Sequence, residues 1–273
     1  MPVPKKKSSP NFEKLIESFG VIFEKTCGKE RVCDCPFCGT ESKFSMDVET
    51  GRQNCWACDY SGNHISFIRE LHRQSLQSTR ENDYKNLSKL RGPFSKGYRS
   101  WQICKSHING DWLIAGYNSA KKLVQLYRWQ AYKKLYATAG LGHGLFGINA
   151  LPTDYQTIDI CEGPWDGMAW YQATESRKGH AVIAVPGCNQ WKPEWNKLIA
   201  GKDVRILFDS DYPKTNSKTG QQMQPVGFCA TKRLAQKIKL LAKSVSFLNW
   251  GPEGFAAELK DGCDIRDILM ERE

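Results

Sequence analysis

Two Cys-x2-Cys pairs, Cys35/Cys38 and Cys55/Cys58, stand sixteen residues apart in "CPFCGTESKFSMDVETGRQNCWACDYSG". No other feature restricts the fold as strongly. A two-residue gap lets both thiolates of a pair reach one tetrahedral ion, and this separation matches a four-cysteine zinc ribbon. Gly39 and Gly62 follow the pairs, where the chain has to turn. "FSMDV" (44–48) alternates as a strand, 49–51 reads as a turn and "RQNC" as the return strand, so the four sulfurs meet at one end of a hairpin. One structural Zn²⁺ on Cys35, Cys38, Cys55 and Cys58 is the expectation. Cys33 is a spare ligand candidate. His64 is read as a helix-start residue, because four cysteines already complete the site. Trp56, inside the second pair, has two readings: it stacks on a nucleobase, or it covers the metal and a small core.

The eleven cysteines of the chain point to a reducing compartment and metal ligation, since no apolar stretch follows the charged start and an export signal is not expected. No run approaches the ~18 apolar residues of a membrane span.

"HISFIRELH" (64–72) has apolar residues at helical spacing and closes a zinc-ribbon domain over 1–72. The polar stretch 73–97 reads as a linker, in part helical. Charge then separates the chain into three blocks. Residues 1–72 carry ten basic and ten acidic side chains, 73–150 thirteen and three, and 151–273 sixteen of each. The whole net charge of +10 lies in the middle block. Beyond 97 its charges interleave with apolar and aromatic residues, the footprint of a surface that binds a polyanion. "DWLIAGYN", "KLVQLYRW" and "KLYAT" read as strands of a small basic sheet within 98–156. "GLGHGLFGI" (140–148) is Gly-rich, but it lacks the order and the Lys of a phosphate-binding loop.

From 157 strands and helices alternate. "TIDIC" (157–161), "AVIAVPG" (181–187), "DVRILFD" (203–209) and "SVSFLNW" (244–250) read as strands; "DGMAWYQA", "KPEWNKLI" and "GFCATKRLAQKIKLLAK" (227–243) read as helices. That order predicts an α/β unit with a doubly wound, mostly parallel sheet over 157–273, whose ligands bind beyond the carboxyl ends of the strands. Glu162 ends the first strand; Asp209 and Asp211 end the third. Carboxylates crowded in this way repel unless a cation lies between them, and hard oxygen ligands suit Mg²⁺.

In sequence, "EGPWDGMA", "VPG" and "DSD" resemble the Toprim fold of DnaG-type primases and topoisomerases. The cysteine region resembles the zinc-binding domain that precedes primase cores, and "YRWQAYKKLYATAGLGHGLFGI" is similar to the basic half of the primase core. "DGCDIRDIL" resembles its closing acidic segment. The resemblance runs from about residue 12 to 270 and is nearest to phage and plasmid primases, including the primase half of phage primase-helicases. It implies a zinc ribbon, a small basic α+β subdomain and a Toprim-type sheet. By position, Glu162, Asp209 and Asp211 are the implied catalytic residues, and Asp166, Asp264 and Asp267 join them in holding two or more Mg²⁺ or Mn²⁺. Arg128, Lys133 and Lys134, with Trp56, are the implied contacts to nucleotide or template. Two departures stand out: an insertion over 212–226 before the matching Gly227, and Cys38 where many bacterial primases carry His.

The resemblance implies a DNA-dependent RNA polymerase that makes short RNA primers on single-stranded DNA. Its implied partners are template, ribonucleoside triphosphates and a replicative helicase, fused or separate, in the cytoplasm of a bacterial or phage-infected cell. The alternatives are a non-polymerising Toprim protein (a nuclease, a recombination mediator or a helicase-associated DNA-binding module) and a zinc-stabilised nucleic-acid-binding protein without catalysis. The basic middle block separates the first reading from the non-polymerising Toprim proteins, which do not need it; the last reading would make the acids structural.

Overall fold

The computed structural model describes residues 11–209, 214–215, 219–220, 222–223, 226–248 and 263–271. Two compact units form. The first comprises the chain up to Arg80 with Cys104–Leu113 and Val124–Gly142; the second comprises Glu81–Ile103, Ile114–Leu123 and the chain from His143 on.

The first unit opens with α1 (Phe12–Glu17), capped by the Asn11 side chain, which accepts from the Lys14 N–H. Five short antiparallel strands follow in spatial order: β1 (Lys25–Cys27), β2 (Glu30–Cys33), β3 (Phe44–Asp47), β4 (Gln53–Cys55) and β5 (Ser61–Gly62). The expected hairpin is the β3/β4 pair within this sheet. Next, α2 (His64–Ser78) starts where Asn63 caps the N–H groups of Ile65 and Ser66, and it buries Phe67, Ile68, Leu71 and Ser75 on one stripe. Phe67 joins Phe37, Phe44 and Tyr60 in a ring cluster with centroids 4.6–6.4 Å apart. Such a cluster gives a small sheet the apolar area it cannot bury alone.

The stretch expected as a linker, 73–97, contains the end of α2, all of α3 (Glu81–Arg91) and the start of α4 (Ser95–Ser100). Only Tyr84 and Leu87 of α3 are buried, and the Tyr84 hydroxyl donates to the Ile103 carbonyl. Gly97 lets α4 lie directly on the helix that contains Met168: a Cβ there would fall 2.2 Å from the Met168 carbonyl oxygen.

A three-stranded sheet contains β6 (Cys104–Lys105), β7 (Trp112–Tyr117) and β8 (Leu123–Trp129) in that order. The expected third strand, 134–138, is instead a single bridge, Arg128↔Tyr136. The buried Gln125 amide explains this. It accepts from the Thr138 N–H and donates to the Thr138 carbonyl, taking the place of ladder bonds. The Gly-rich segment packs rather than cradles. Leu145 bridges Tyr117, Phe146 bridges Ala184, and a Cβ on Gly144 would lie 2.5 Å from Gly116.

The parallel sheet comes from β9 (Thr157–Cys161), α5 (Pro164–Thr174), β10 (His180–Ala184), β11 (Asp203–Leu207), the small antiparallel pair β12 (Lys214–Thr215) and β13 (Gln222–Met223), α6 (Val226–Ile238), β14 (Ser244–Phe247) and α7 (Ile265–Met270). Its order is β10-β9-β11-β14, parallel throughout. The chain goes from β9 to one side and then returns past it, so the topological switch point falls between β9 and β11. The expected helix at 192–199 is a 3₁₀ turn, Pro193–Leu198, because the two residues it buries, Trp195 and Leu198, are three apart and eclipse in that geometry. The long helix stops at Ile238, the last residue of its buried stripe, not at 243.

One carboxylate is hidden inside this sheet. Asp159 is fully buried in the middle of β9. It accepts two bonds from Arg205 (2.6 and 2.7 Å), faces His180 Nε2 at 2.9 Å and takes the Trp170 indole N–H. Burial pushes its carboxyl up, but these bonds outweigh burial and hold it below the usual range. No helix among the described residues is long and apolar enough to cross a membrane.

Candidate active site and metal centre

The four sequence-predicted cysteines converge. Cys35 Sγ lies 3.9 Å from Cys58 Sγ, Cys38 Sγ lies 3.9 Å from Cys55 Sγ, and all four sulfurs lie within 4.8 Å of one another. With Zn–S near 2.3 Å a regular tetrahedron has edges of about 3.8 Å, whereas a disulfide would need about 2.05 Å. The donor set therefore fits one zinc ion. Each pair forms a tight knuckle. The Phe37 and Ala57 N–H groups point at Cys35 Sγ and Cys55 Sγ, both at 3.4 Å. The residue after each pair is left-handed, Gly39 at φ +73° and Asp59 at φ +55°; Asp, not Gly62, supplies the second turn, and Asp tolerates that region. The Thr40 hydroxyl bonds Cys38 and draws its thiol down to about 6, while burial pushes Cys35 and Cys58 up. Trp56 is 61% exposed at the tip of its knuckle.

The acidic residues gather in the second unit. Leu207 is paired with Cys161, so Glu162 follows β9 directly and Asp209 lies two residues past the end of β11, on the same sheet edge. Asp166 stands in the first turn of α5, where the helix dipole favours an acid, and is 7% exposed. Among the described residues its buried Oδ1 has no hydrogen-bond partner. Burial raises the Asp166 carboxyl well above its usual value; the Asp264 and Asp209 carboxylates raise it further, and Arg266 opposes them. Three carboxylates from different elements thus act on one another. A buried acid oxygen with no donor, crowded by like charges, is the environment a hard divalent cation would relieve. Among the described residues, however, only the cysteine group brings three or more ligand atoms within 4.8 Å. Asp211 and most of the 212–226 insertion lie outside the described residues.

Asp264 and Asp267 also have local work. They form the capping box of α7: Asp264 Oδ1 accepts from the Asp267 N–H at 2.8 Å, and Asp267 Oδ2 from the Asp264 N–H at 3.3 Å. Arg266 binds Asp264 Oδ2 at 2.9 Å and comes within 3.6 Å of Asp267. Arg266 was not singled out from sequence. Its signal was present in "DIRD", an arginine placed between two acids.

The basic residues of the first unit separate into two kinds. Arg128 is half-buried: its guanidinium lies 3.7 Å from Asp111, donates to the Ser18 carbonyl and covers the Phe19 ring. Arg128, expected at the nucleotide or template, makes these contacts inside its own unit and also lines a recess with Lys133 and Tyr136. Lys133 and Lys134 are exposed.

No family model matches the sequence, and no curated protein matches it. Solved structures do. The RNA polymerase domain of Mycobacterium tuberculosis primase DnaG, solved with double-stranded DNA, matches with a TM-score of 0.51 and 14% identity over 76% of each chain. The DnaG primase catalytic domain bound to single-stranded DNA matches at 0.50 and 12% over 77% of this chain and 76% of that one. The Aquifex aeolicus primase fragment with zinc-binding and RNA polymerase domains spans 97% of this chain and 83% of its own, at 15% and 0.46. Identities this low speak for fold alone, and over about three quarters of the chain the fold is that of the DnaG-type catalytic core.

Proposed function

We propose that the chain is a DNA primase, a Toprim enzyme that synthesises short RNA primers on single-stranded DNA. The observation that carries this reading is the acidic edge. Adjacent parallel strands deliver Glu162 and Asp209 to the switch point of a primase-type sheet, beside a buried Asp166 oxygen that has no hydrogen-bond partner among the described residues.

Glu162, Asp166, Asp209, Asp211, Asp264 and Asp267 are the residues that would hold Mg²⁺ or Mn²⁺. When bound, two or more such ions would neutralise the incoming triphosphate and activate the primer 3′-hydroxyl. Glu162, the first residue past β9, orients that cluster or accepts a proton at its carboxylate. Asp264 keeps its N-cap bond to α7 through Oδ1 while Oδ2 faces Arg266. Lys133 and Lys134 meet the phosphates of nucleotide and template, and Arg128 braces the strand that leads into their turn. The cysteine knuckles hold zinc, and Trp56 beside them contacts the template where synthesis starts. The other partner in this reading is a replicative helicase, fused or separate, in a bacterial or phage-infected cell.

The test is incubation of the full chain with mixed-sequence single-stranded DNA, the four ribonucleoside triphosphates and Mg²⁺, with the products resolved on a gel. Short RNA that depends on template and on Mg²⁺ is expected. Its absence with both Mg²⁺ and Mn²⁺ would overturn the reading.

A further inference from the structure

The turn after β8 places an aromatic ring where a ring gains nothing from the fold. Tyr132 is 92% exposed. Its backbone is left-handed, φ +63°, and among the described residues the other non-glycines with positive φ are Ser42, Asp59, Gln102 and Lys121, none of them aromatic. A bulky side chain in that region is an outlier that the surrounding structure has to enforce. Here the enforcement is visible. The Lys133 N–H donates to the Gln130 carbonyl at 3.0 Å, and the indole of the buried Trp129 donates to the Lys133 carbonyl at 2.9 Å. The Gln130 amide donates to buried Asp111 at 2.8 Å, and Lys133 Nζ donates to Gln130 Oε1 at 2.5 Å. The tip is therefore fixed at its base and open at its end.

The surroundings supply a matching charge. Lys133 and Lys134 are exposed beside the ring, and Tyr136, 49% exposed, lines a polar recess with Lys133, Gln130, Arg128 and Asp111. Rigid aromatic faces set among cations bind unpaired strands: bases stack on the rings and phosphates meet the lysines. A duplex, whose bases are already stacked, offers no such face.

We propose that Tyr132 and Tyr136 form a stacking platform for the bases of single-stranded nucleic acid, with Tyr132 as its principal ring. The proposal rests on the reading of the basic middle block as a template surface. Stacking and phosphate contact respond differently to salt, because only phosphate contact releases counterions.

The experiment measures binding of the full chain to labelled oligo-dT, and to a strand of equal length built of abasic sites, across a salt series. Tyr132→Ala should weaken binding to oligo-dT by about 5- to 100-fold, the range of one lost base stack, leave the slope against log salt unchanged and have little effect on the abasic strand. Tyr132→Phe should bind as the parent does. Tyr132→Gly should lose the same affinity while its Tm rises, since glycine relieves the left-handed strain. Lys133→Ala should lower the slope by about 0.7. Parental affinity in Tyr132→Ala, equal losses on both strands, or a parent chain that does not bind oligo-dT would each overturn the platform. Primer synthesis is assayed on the same samples. Ring-dependent binding without RNA would uphold the platform and count against the polymerase reading alone.

Discussion

Cys161 and Leu207 are partners in register across the parallel β9/β11 pair. That pairing places Glu162 and Asp209 on one edge of the sheet although forty-six residues separate them in the chain. If their work is to hold divalent metal, Glu162→Gln, Asp209→Asn and Asp211→Asn should each reduce primer synthesis by about 100-fold or more. In chelator the same variants should melt at or above the parent temperature, because each removes a repelling charge. Normal RNA synthesis with a lowered Tm would make these acids turn residues instead.

Asp166 gives a dependence on pH with a definite sign. Its folded carboxyl titrates above the unfolded value of about 3.9. Between the two values the native state holds a proton that the unfolded state has lost, so metal-free stability falls as pH rises through that window. Urea midpoints in chelator from pH 4 to 8 should show the parent declining relative to Asp166→Asn. Parallel curves would remove the strained carboxyl from the account.

The knuckles make two predictions about metal. Elemental analysis should find about one zinc per chain, lost in Cys55→Ser. At pH 7 zinc uptake should release fewer than four protons, because Cys38, drawn down to about 6, is already a thiolate. Release of four protons by apoprotein titration would contradict the Thr40 effect.

Arg205 holds the buried Asp159 charge. Arg205→Met should cost about 3 kcal/mol in urea unfolding, at the low end for a broken buried pair because His180 and Trp170 remain on the carboxylate. Asp159→Asn should rescue part of that loss in the double variant. An additive double variant would refute the coupling.

The two basic positions should separate. Arg128→Ala should lower stability by about 2 kcal/mol, since buried Asp111 loses a cation. Lys134→Ala should leave Tm unchanged and weaken binding to single-stranded DNA, more so at low salt. The reverse pattern would put Arg128 on the surface.

What could be read from sequence was what depends on neighbours along the chain. Four ligands at knuckle spacing announce their geometry, and the apolar runs around Ile158, Val182 and Ile206 announce buried parallel strands. The contacts of Arg128 could not be read, because its partners, Ser18, Phe19 and Asp111, come from distant segments, and a basic residue in a strand looks the same whether it meets phosphate or a carboxylate. The helix around Tyr84 was hidden by a polar composition, since two buried residues anchor it and neither makes a periodic pattern. Asp159 and Arg205 carry a legible signal: opposite charges at the centres of two strands, each flanked by apolar residues.

The position of β9 between β10 and β11 has a consequence for the history of this chain. A strand at the edge of a sheet can gain or lose a residue and adjust on its open side. Thr157–Cys161 has no open side, and its register is fixed from both flanks at once. A single-residue insertion or deletion there would exchange the faces of Asp159 and Ile160, turning a carboxylate away from its three donors and displacing Glu162 together with it. A change of length after Asp209 falls beyond the paired strand and leaves that register as it is, and closing a loop twice as long costs only about 0.6 kcal/mol. Descendants of this protein should therefore differ in length after Asp209 and keep the residue count of β9 unchanged.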